Sequence, residues 1–248
     1  MMEKTQMEDK EILHPQPAGE KLSRREIRVI TLEENVLGEN EKIADENKVL
    51  LQKKGIFSLN LISSSGSGKT TLLVETLRQL SGEIACAVIE GDQQTDNDAR
   101  RIAETGVPVV QINTRSGCHL EALQVRRALE QLPLSNVRLL FIENVGNLVC
   151  PAEFELGESE KVVLMSITEG EDKPVKYPLA FHLASAVIFT KMDLLPYLRF
   201  DFDKCKEFVR KVNPHAPMIE TSAFTPDGLT RWIEWLRAKI GSYESRIT

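Results

Sequence analysis

Residues 55–80, GIFSLNLISSSGSGKTTLLVETLRQL, decide the fold of this chain. Apolar residues are nearly continuous over positions 56–62, which predicts a buried strand. A serine- and glycine-rich turn follows at positions 63–68, and leucines then recur at helical spacing: Leu72, Leu73, Leu77 and Leu80. A strand, a glycine-rich turn and a helix in this order form the phosphate-binding unit of P-loop proteins.

The turn has the residues that phosphate binding needs. Glycines let backbone N–H groups curl around a phosphate chain, and the helix N-terminus adds its dipole. Lys69 would reach the β- and γ-phosphates as a catalytic group, and the Thr70 hydroxyl would hold Mg²⁺. Ser63 replaces the first glycine of the pattern G-x-x-x-x-G-K-S/T. The predicted phosphate contacts are Ser65, Gly66, Ser67, Gly68, Lys69, Thr70 and Thr71.

Acidic residues follow two further predicted strands. The strand at 84–89 leads into GDQQTDND, and VRLLFIEN ends in Glu143. Ligands of open α/β sheets bind at the carboxyl ends of strands, so Asp92 and Glu143 are candidates for Mg²⁺ binding and catalysis. Asp96 is a candidate nucleotide contact, and Asp98 is a third candidate for the catalytic water. For any one of these aspartates, capping of the next helix explains the residue equally well.

Two loops predict contacts to a guanine base. The strand at 185–190 runs into Thr190, Lys191, Met192 and Asp193, and a carboxylate there can accept from both N–H groups of guanine. GTP is therefore the predicted nucleotide. Guanine-reading loops usually have the pattern Asn-Lys-x-Asp, in which the Asn makes a bridging contact; Thr190 stands in its place here, so that contact is not predicted. The alternative to base recognition is that Lys191 and Asp193 form an ion pair on the surface. Ser222 and Ala223 end another predicted strand, as a base-contacting loop should.

The remaining candidate site residues are Gly146, Cys118, His119 and Cys150. Gly146 follows the Glu143 strand and can meet the γ-phosphate through its N–H. Cys118 and His119 start a predicted helix, whose dipole would favour a thiolate at Cys118. On spacing alone, Cys118, His119 and Cys150 are a weak metal signal. The other two cysteines, Cys86 and Cys205, suit apolar positions.

The length and composition of the chain suit a single α/β domain with an N-terminal extension. With 248 residues, 42% of them hydrophobic, the chain can bury one α/β core: a P-loop NTPase fold with a mostly parallel sheet and helices on both faces. We expect an N-terminal arm and helix over residues 1–54 and the P-loop domain over 55–248. In that helix, Leu32, Val36, Ile43 and Leu50 share one face, which predicts that it lies across the main domain.

The net charge and the apolar runs of the chain argue against nucleic acid and membranes as partners. A net charge of −6 without a basic stripe argues against a nucleic-acid partner. No apolar run suits a signal peptide or a bilayer span, so we expect no membrane partner and a cytoplasmic location.

Seven sequence motifs together resemble the HypB family, the nickel-incorporation GTPases of nickel–iron hydrogenase maturation, and more distantly the urease accessory GTPase. They are SSSGSGKTTLL, EGDQQTDNDARRI, TRSGCHLEA, ENVGNLVCPAEFELGE, SITEGEDKPVKYP, KMDLLPY and TSAFTPDG, and the resemblance spans nearly everything from Gly55 to Ile240. It implies slow GTP hydrolysis, a Ni²⁺ or Zn²⁺ site at Cys118, His119 and Cys150, and a GTP-dependent homodimer. It also implies two protein partners, a hydrogenase maturation partner and the hydrogenase large-subunit precursor.

The chain departs from some members of that family at its N-terminus. Those members carry a cysteine motif or a histidine-rich tract for nickel, whereas residues 1–31 contain no cysteine and, as histidine, only His14. We therefore expect no separate nickel store in this arm.

Two other function classes share parts of this pattern. A small-molecule kinase would share the P-loop, but it needs an acceptor pocket and basic lid residues that the sequence does not show. A passive metal-binding protein does not need KMD together with SGSGKT. The sequence therefore predicts a GTP-hydrolysing nickel metallochaperone, and leaves open the physiological metal, the dimeric nucleotide state and the metal recipient.

Overall fold

The computed structural model describes residues 32–93 and 95–247. The part of the predicted N-terminal arm that precedes residue 32 lies outside these ranges. The strands are β1 Phe57–Ser63, β2 Cys86–Asp92, β3 Val109–Asn113, β4 Leu139–Glu143, β5 Glu160–Ser166, β6 Ala186–Thr190 and β7 Met218–Glu220. The α-helices are α1 Leu32–Lys53, α2 Lys69–Leu80, α3 Asn97–Ala103, α4 Ala122–Leu129, α5 Cys150–Glu153, α6 Lys173–Lys176, α7 Pro178–Leu183, α8 Phe202–Val212 and α9 Thr230–Ile247.

The seven strands form one parallel sheet in the order β3-β2-β4-β1-β5-β6-β7. β1 is central, so the loop after it opens between the carboxyl ends of its neighbours β4 and β5. Successive side chains of a strand face opposite sides of the sheet, and buried apolar residues accordingly form clusters on both faces. Helices α2, α3 and α9 supply one face, whereas α1, α4, α7 and α8 supply the other. The predicted fold class is confirmed.

Helix α1 packs against the main domain through a face that the apolar pattern did not predict. Its buried positions are Asn40, Ala44, Asn47 and Leu51. The expected inner residues Ile43 and Leu50 are only partly buried, and the side chains of Leu32 and Val36 lie outside the described part. Asparagines occupy the inner face because their amides bond backbone groups of the main domain. The boundary at residue 54 remains a prediction.

The segment between β5 and β6 forms two short helices, α6 and α7, that meet at Tyr177. Pro178 separates them because it has no N–H to continue the first helix and its ring clashes with the preceding turn. Across residues 32–93 and 95–247, no helix is both long enough and apolar enough to cross a bilayer.

Candidate nucleotide and metal sites

The loop between β1 and α2 lines a cavity of about 480 Å³ at the carboxyl edge of the sheet. Gly66 and Gly68 have φ angles of +73° and +91°, which glycine adopts without strain. Ser63 is not among the residues with positive φ, so a glycine is not required there. Its buried hydroxyl instead accepts a hydrogen bond from Ser67 Oγ at 2.6 Å, which braces the loop from inside. The cavity lining includes all of the predicted phosphate contacts: Ser65, Gly66, Ser67, Gly68, Lys69, Thr70 and Thr71.

Oxygen atoms suited to Mg²⁺ meet on the inner wall of this cavity. Thr70 Oγ1 donates to Glu143 Oε1 at 2.6 Å, and Glu143 Oε2 is buried without a hydrogen-bond partner in the described part of the chain. Burial raises the pKa of Glu143, while the positive charge of Lys69 opposes that rise. Asp92 also lines the cavity. A hydroxyl and carboxylates fit a hard cation that prefers oxygen ligands.

Glu90 is a buried acid in this cavity that the sequence analysis missed. Glu90 belongs to β2 and is the register partner of Glu143 in the neighbouring strand β4. Glu90 is 2% exposed, and its burial, together with the neighbouring charges of Glu143 and Asp92, raises its pKa to about 8. Glu90 precedes Asp92 by two positions, so the two residues share one face of the strand. That spacing was the signal that could have found it.

The three aspartates after β2 have different surroundings. Asp92 Oδ2 accepts hydrogen bonds from the backbone N–H of Thr95 at 2.9 Å and from its hydroxyl at 2.7 Å, so Asp92 also shapes its own loop. Asp98 lines the cavity and pairs with Arg101 at 3.1 Å. The structure does not place Asp96 among the lining residues; its exposed carboxylate pairs with Arg100 at 2.6 Å. Asp96 precedes α3, but its side chain makes no capping bond.

The predicted base-reading loops lie beside the phosphate loop. Thr190 Oγ1 donates to the Ser67 carbonyl at 2.6 Å, so a threonine links the two loops in the place where an asparagine was expected to do so. Lys191, with a φ of 62°, donates from Nζ to the Gly66 carbonyl at 2.8 Å rather than forming an ion pair with Asp193.

The remaining predicted base contacts line two adjoining cavities. Asp193 Oδ1 accepts from Ser222 Oγ at 2.6 Å in a cavity of about 620 Å³. Ala223 lines a smaller cavity with Lys191 and Gly68.

Cys118, His119 and Cys150 come together in space although two loops supply them. One ligand atom from each residue lies within 4.8 Å of the others. Cys118 Sγ is 3.0 Å from Cys150 Sγ and 3.5 Å from His119 Nδ1. The His119 ring packs on Phe154 with 3.9 Å between centroids, and its Nε2 is buried without a partner among the described residues. Two thiols and an imidazole with an unpaired buried nitrogen fit a borderline-soft metal ion.

Two observations contradict the expectation of a helix-favoured thiolate at Cys118. Helix α4 begins at Ala122, so Cys118 lies in the preceding loop, beyond the first turn where the dipole acts. The Cys118 S–H donates to Cys150 Sγ, and this bond favours the thiol and raises the pKa of Cys118. Burial lowers the pKa of His119, which keeps its ring neutral and able to bind a metal.

The chain is similar to known proteins over most of its length. The family profile described as "CobW/HypB/UreG, nucleotide-binding domain" matches residues 58–220. Hydrogenase maturation factor HypB of Azotobacter chroococcum is 52% identical over 215 residues, which are 87% of this chain and 70% of that protein.

The chain belongs to the HypB family.

Two solved structures of HypB proteins share the fold. The crystal structure of HypB from Helicobacter pylori in complex with nickel has a TM-score of 0.79 and 39% identity, and the alignment covers 82% of this chain and 96% of that one. HypB from Archaeoglobus fulgidus has a TM-score of 0.77 and 35% identity, covering 82% of this chain and 100% of that one.

In this member of the HypB family, one short segment touches both candidate sites. Gly146 packs so closely on the phosphate loop that a Cβ there would lie 2.5 Å from Ser65 Oγ and 2.8 Å from Ser65 Cα. Asn147 forms an isolated antiparallel bridge with Ser63, and its side chain donates to the Cys118 carbonyl at 3.3 Å and accepts from the Val149 N–H at 3.0 Å. Asn147 therefore contacts the phosphate loop and the segments that carry Cys118 and Cys150.

Proposed function

We propose that this protein is a GTP-hydrolysing nickel metallochaperone, whose nucleotide state controls the site of Cys118, His119 and Cys150 during nickel–iron hydrogenase maturation. The observation that carries the proposal is Asn147, which joins the phosphate loop to both cysteine loops. A change at the γ-phosphate that moves this segment must also move Cys150, because the tether between them is short. The recipients of the metal would be a maturation partner and the hydrogenase large-subunit precursor.

The nucleotide half of the proposal rests on the cavity beside α2. Lys69 is the cation placed to stabilise charge that develops on the phosphates, and Asp193 with Ser222 supplies the guanine contacts. Thr70, Asp92 and Glu143 would hold Mg²⁺, which when bound neutralises phosphate charge. GTP hydrolysis that exceeds ATP hydrolysis, without any added acceptor, is the result that separates this proposal from a small-molecule kinase.

The metal half rests on the donor set. Three protein ligands leave a fourth position, which water or a second copy of the chain could fill. Such a set can hold Zn²⁺ as a tetrahedron or Ni²⁺ in a flatter geometry, so we expect both ions to bind. Cys118, His119 and Cys150 are each only partly buried, which suits a site shared across a twofold axis. A GTP-dependent homodimer with the metal site at its interface is therefore part of the proposal.

Asp193→Asn should weaken GTP binding and favour xanthosine triphosphate. The carboxylate accepts from the guanine N–H groups, whereas an amide can donate to the additional carbonyl of xanthine. Direct binding of both nucleotides to wild-type and variant protein measures the change. Asp201→Asn is the control, because it makes the same exchange of carboxylate for amide at a residue that does not line the cavity of Asp193, and an asparagine can still cap α8. Unchanged GTP affinity in Asp193→Asn would show that this residue does not read the base.

A non-hydrolysable GTP analogue with Mg²⁺ should change both the molecular mass and the Ni²⁺ affinity of the protein. Coupling is reciprocal, so Ni²⁺ must shift the analogue's affinity by the same factor. Sedimentation and Ni²⁺ titration of the apo, GDP and analogue forms measure both effects.

Asn147→Ala is the variant that tests the route of this coupling. It removes the side-chain bonds to the cysteine loops, so the nucleotide effect on Ni²⁺ affinity should shrink toward none. If neither mass nor Ni²⁺ affinity responds to nucleotide in the wild type, the protein is a GTPase with an incidental metal site.

A further inference from the structure

Two asparagines of α1 hold the chain on both sides of the metal cluster. Asn40 Nδ2 donates to the Glu155 carbonyl at 2.7 Å, and its Oδ1 accepts from the Ala122 N–H at 2.7 Å. Asn47 Nδ2 donates to the carbonyls of Ala122 at 2.8 Å and Leu156 at 2.9 Å. Both polar groups of the Ala122 peptide backbone are therefore bonded to α1, and each asparagine also reaches the segment that follows α5.

These bonded positions lie close to the metal ligands in the chain. Ala122 follows the His119 loop directly at the start of α4, and Glu155 follows α5, whose first residue is Cys150. Phe154, next to Glu155, packs against the His119 ring. The side-chain amides of Asn40 and Asn47 thus join the segment that carries Cys150 to the segment that follows Cys118 and His119.

Helix α1 packs closely on the segment that follows α5. A Cβ at Gly157 would lie 2.5 Å from the Ala44 carbonyl oxygen and 2.5 Å from Asn47 Cβ, so α1 can approach this segment so closely only because residue 157 is glycine. Asn47 is fully buried, and its Oδ1 also accepts from Arg126 Nε at 2.6 Å. A buried amide with its donors and acceptor satisfied fixes its partners in one arrangement.

We propose that α1 is part of the metal site, with Asn40 and Asn47 as positioning residues that set the separation of Cys150 from Cys118 and His119. This inference rests on the proposed function only in taking those three residues as a metal site. Metal ligands must be held within a few tenths of an ångström of their bonding distances, and loss of a group bonded directly to a ligand typically weakens metal binding by roughly 10- to 100-fold. Asn40 and Asn47 bond the backbone of Ala122, Glu155 and Leu156 rather than the ligands, so we expect the lower end of this range, about a 10-fold loss.

The test is a Ni²⁺ titration of the full chain carrying Asn40→Ala, Asn47→Ala or Asn47→Asp. Each variant should bind Ni²⁺ about 10-fold more weakly than the wild type. The aspartate keeps the acceptor for Arg126 but loses both donated bonds, so it should behave as the alanine does. Bound Co²⁺ gives a second readout, because its visible absorption and thiolate charge-transfer bands report ligand geometry and should change in the same variants.

Asn213→Ala is the matched control. Like Asn40 and Asn47, Asn213 donates from its side-chain amide to backbone carbonyls, those of Phe181, His182 and Ala184 at 2.9 to 3.0 Å. These carbonyls belong to the segment around α7 and not to the segments that carry Cys118, His119 and Cys150. Asn213→Ala should lower the thermal midpoint and leave the Ni²⁺ affinity and the Co²⁺ spectrum unchanged.

Two results would overturn the positioning role. One is unchanged Ni²⁺ affinity and Co²⁺ spectrum in whichever Asn40 and Asn47 variants fold. The other is an equal loss of Ni²⁺ binding in Asn213→Ala at a similar thermal midpoint. Cys118→Ala in the same titration separates this failure from that of the proposed function: if it binds Ni²⁺ as the wild type does, the cluster is not the metal site and both proposals fall.

Discussion

Lys69→Ala should abolish GTP hydrolysis while the protein remains folded. Lys69 starts α2 and lines the candidate phosphate cavity, where the proposed function places the negative charge that grows in the transition state. Removing one such preorganised group costs roughly 100- to 1,000-fold in turnover. Phosphate release measures the loss, and circular dichroism with thermal unfolding shows whether the fold is intact.

Lys176→Ala is the control for this substitution. Lys176 is an exposed lysine of α6 that pairs with Asp172 at 2.7 Å, outside the cavity, so its loss should leave turnover unchanged. Near-normal GTP turnover in folded Lys69→Ala would contradict the assignment of this loop to the phosphates.

The fold and the phosphate loop were predictable because local sequence determines them. Strand, turn and helix are consecutive in the chain, and Lys69 and Thr70 occupy fixed positions after the last glycine. The order of strands depends on contacts between distant segments, which no local pattern specifies. The central place of β1 between β4 and β5 is therefore a result of the structure.

The parts of the site that the sequence did not predict are polar residues that serve tertiary contacts. Glu90 interrupts an apolar strand, and only its register with Glu143 shows that both carboxyls face the cavity. Asn40 and Asn47 break the apolar pattern of α1, so a search for hydrophobic periodicity placed the helix face incorrectly.

The Thr190 bridge was missed for a related reason. Its hydroxyl makes the link to the Ser67 carbonyl that the usual motif assigns to asparagine, and a motif records residue types rather than the bonds they make. Cys118, His119 and Cys150, by contrast, were found through family motifs, because their spacing in the chain does not reveal that they meet.

Cys118→Ala and Cys150→Ala should each weaken Ni²⁺ and Zn²⁺ binding more than the roughly 10- to 100-fold that loss of an outer-shell partner costs. Each substitution removes a thiolate that bonds the metal directly, and one thiol with one imidazole leaves two positions of a four-coordinate ion to water. Titration of each ion against a competing chelator measures the affinities. Both thiols must lose a proton to bind, so proton release on metal addition should fall in the same variants.

The other two cysteines are the matched controls, because they have the same chemistry in different surroundings. Cys205 of α8 is buried against Met165 of β5, and burial raises the pKa of the Cys205 thiol to about 12. Cys86 is buried at the start of β2, where burial likewise raises its pKa to about 12. Neither cysteine belongs to a group of potential metal ligands among the described residues, so Cys205→Ala and Cys86→Ala should leave Ni²⁺ and Zn²⁺ affinity unchanged. Equal losses from all four substitutions would mean that metal binding follows overall stability, and the cluster of Cys118, His119 and Cys150 would then not be the site.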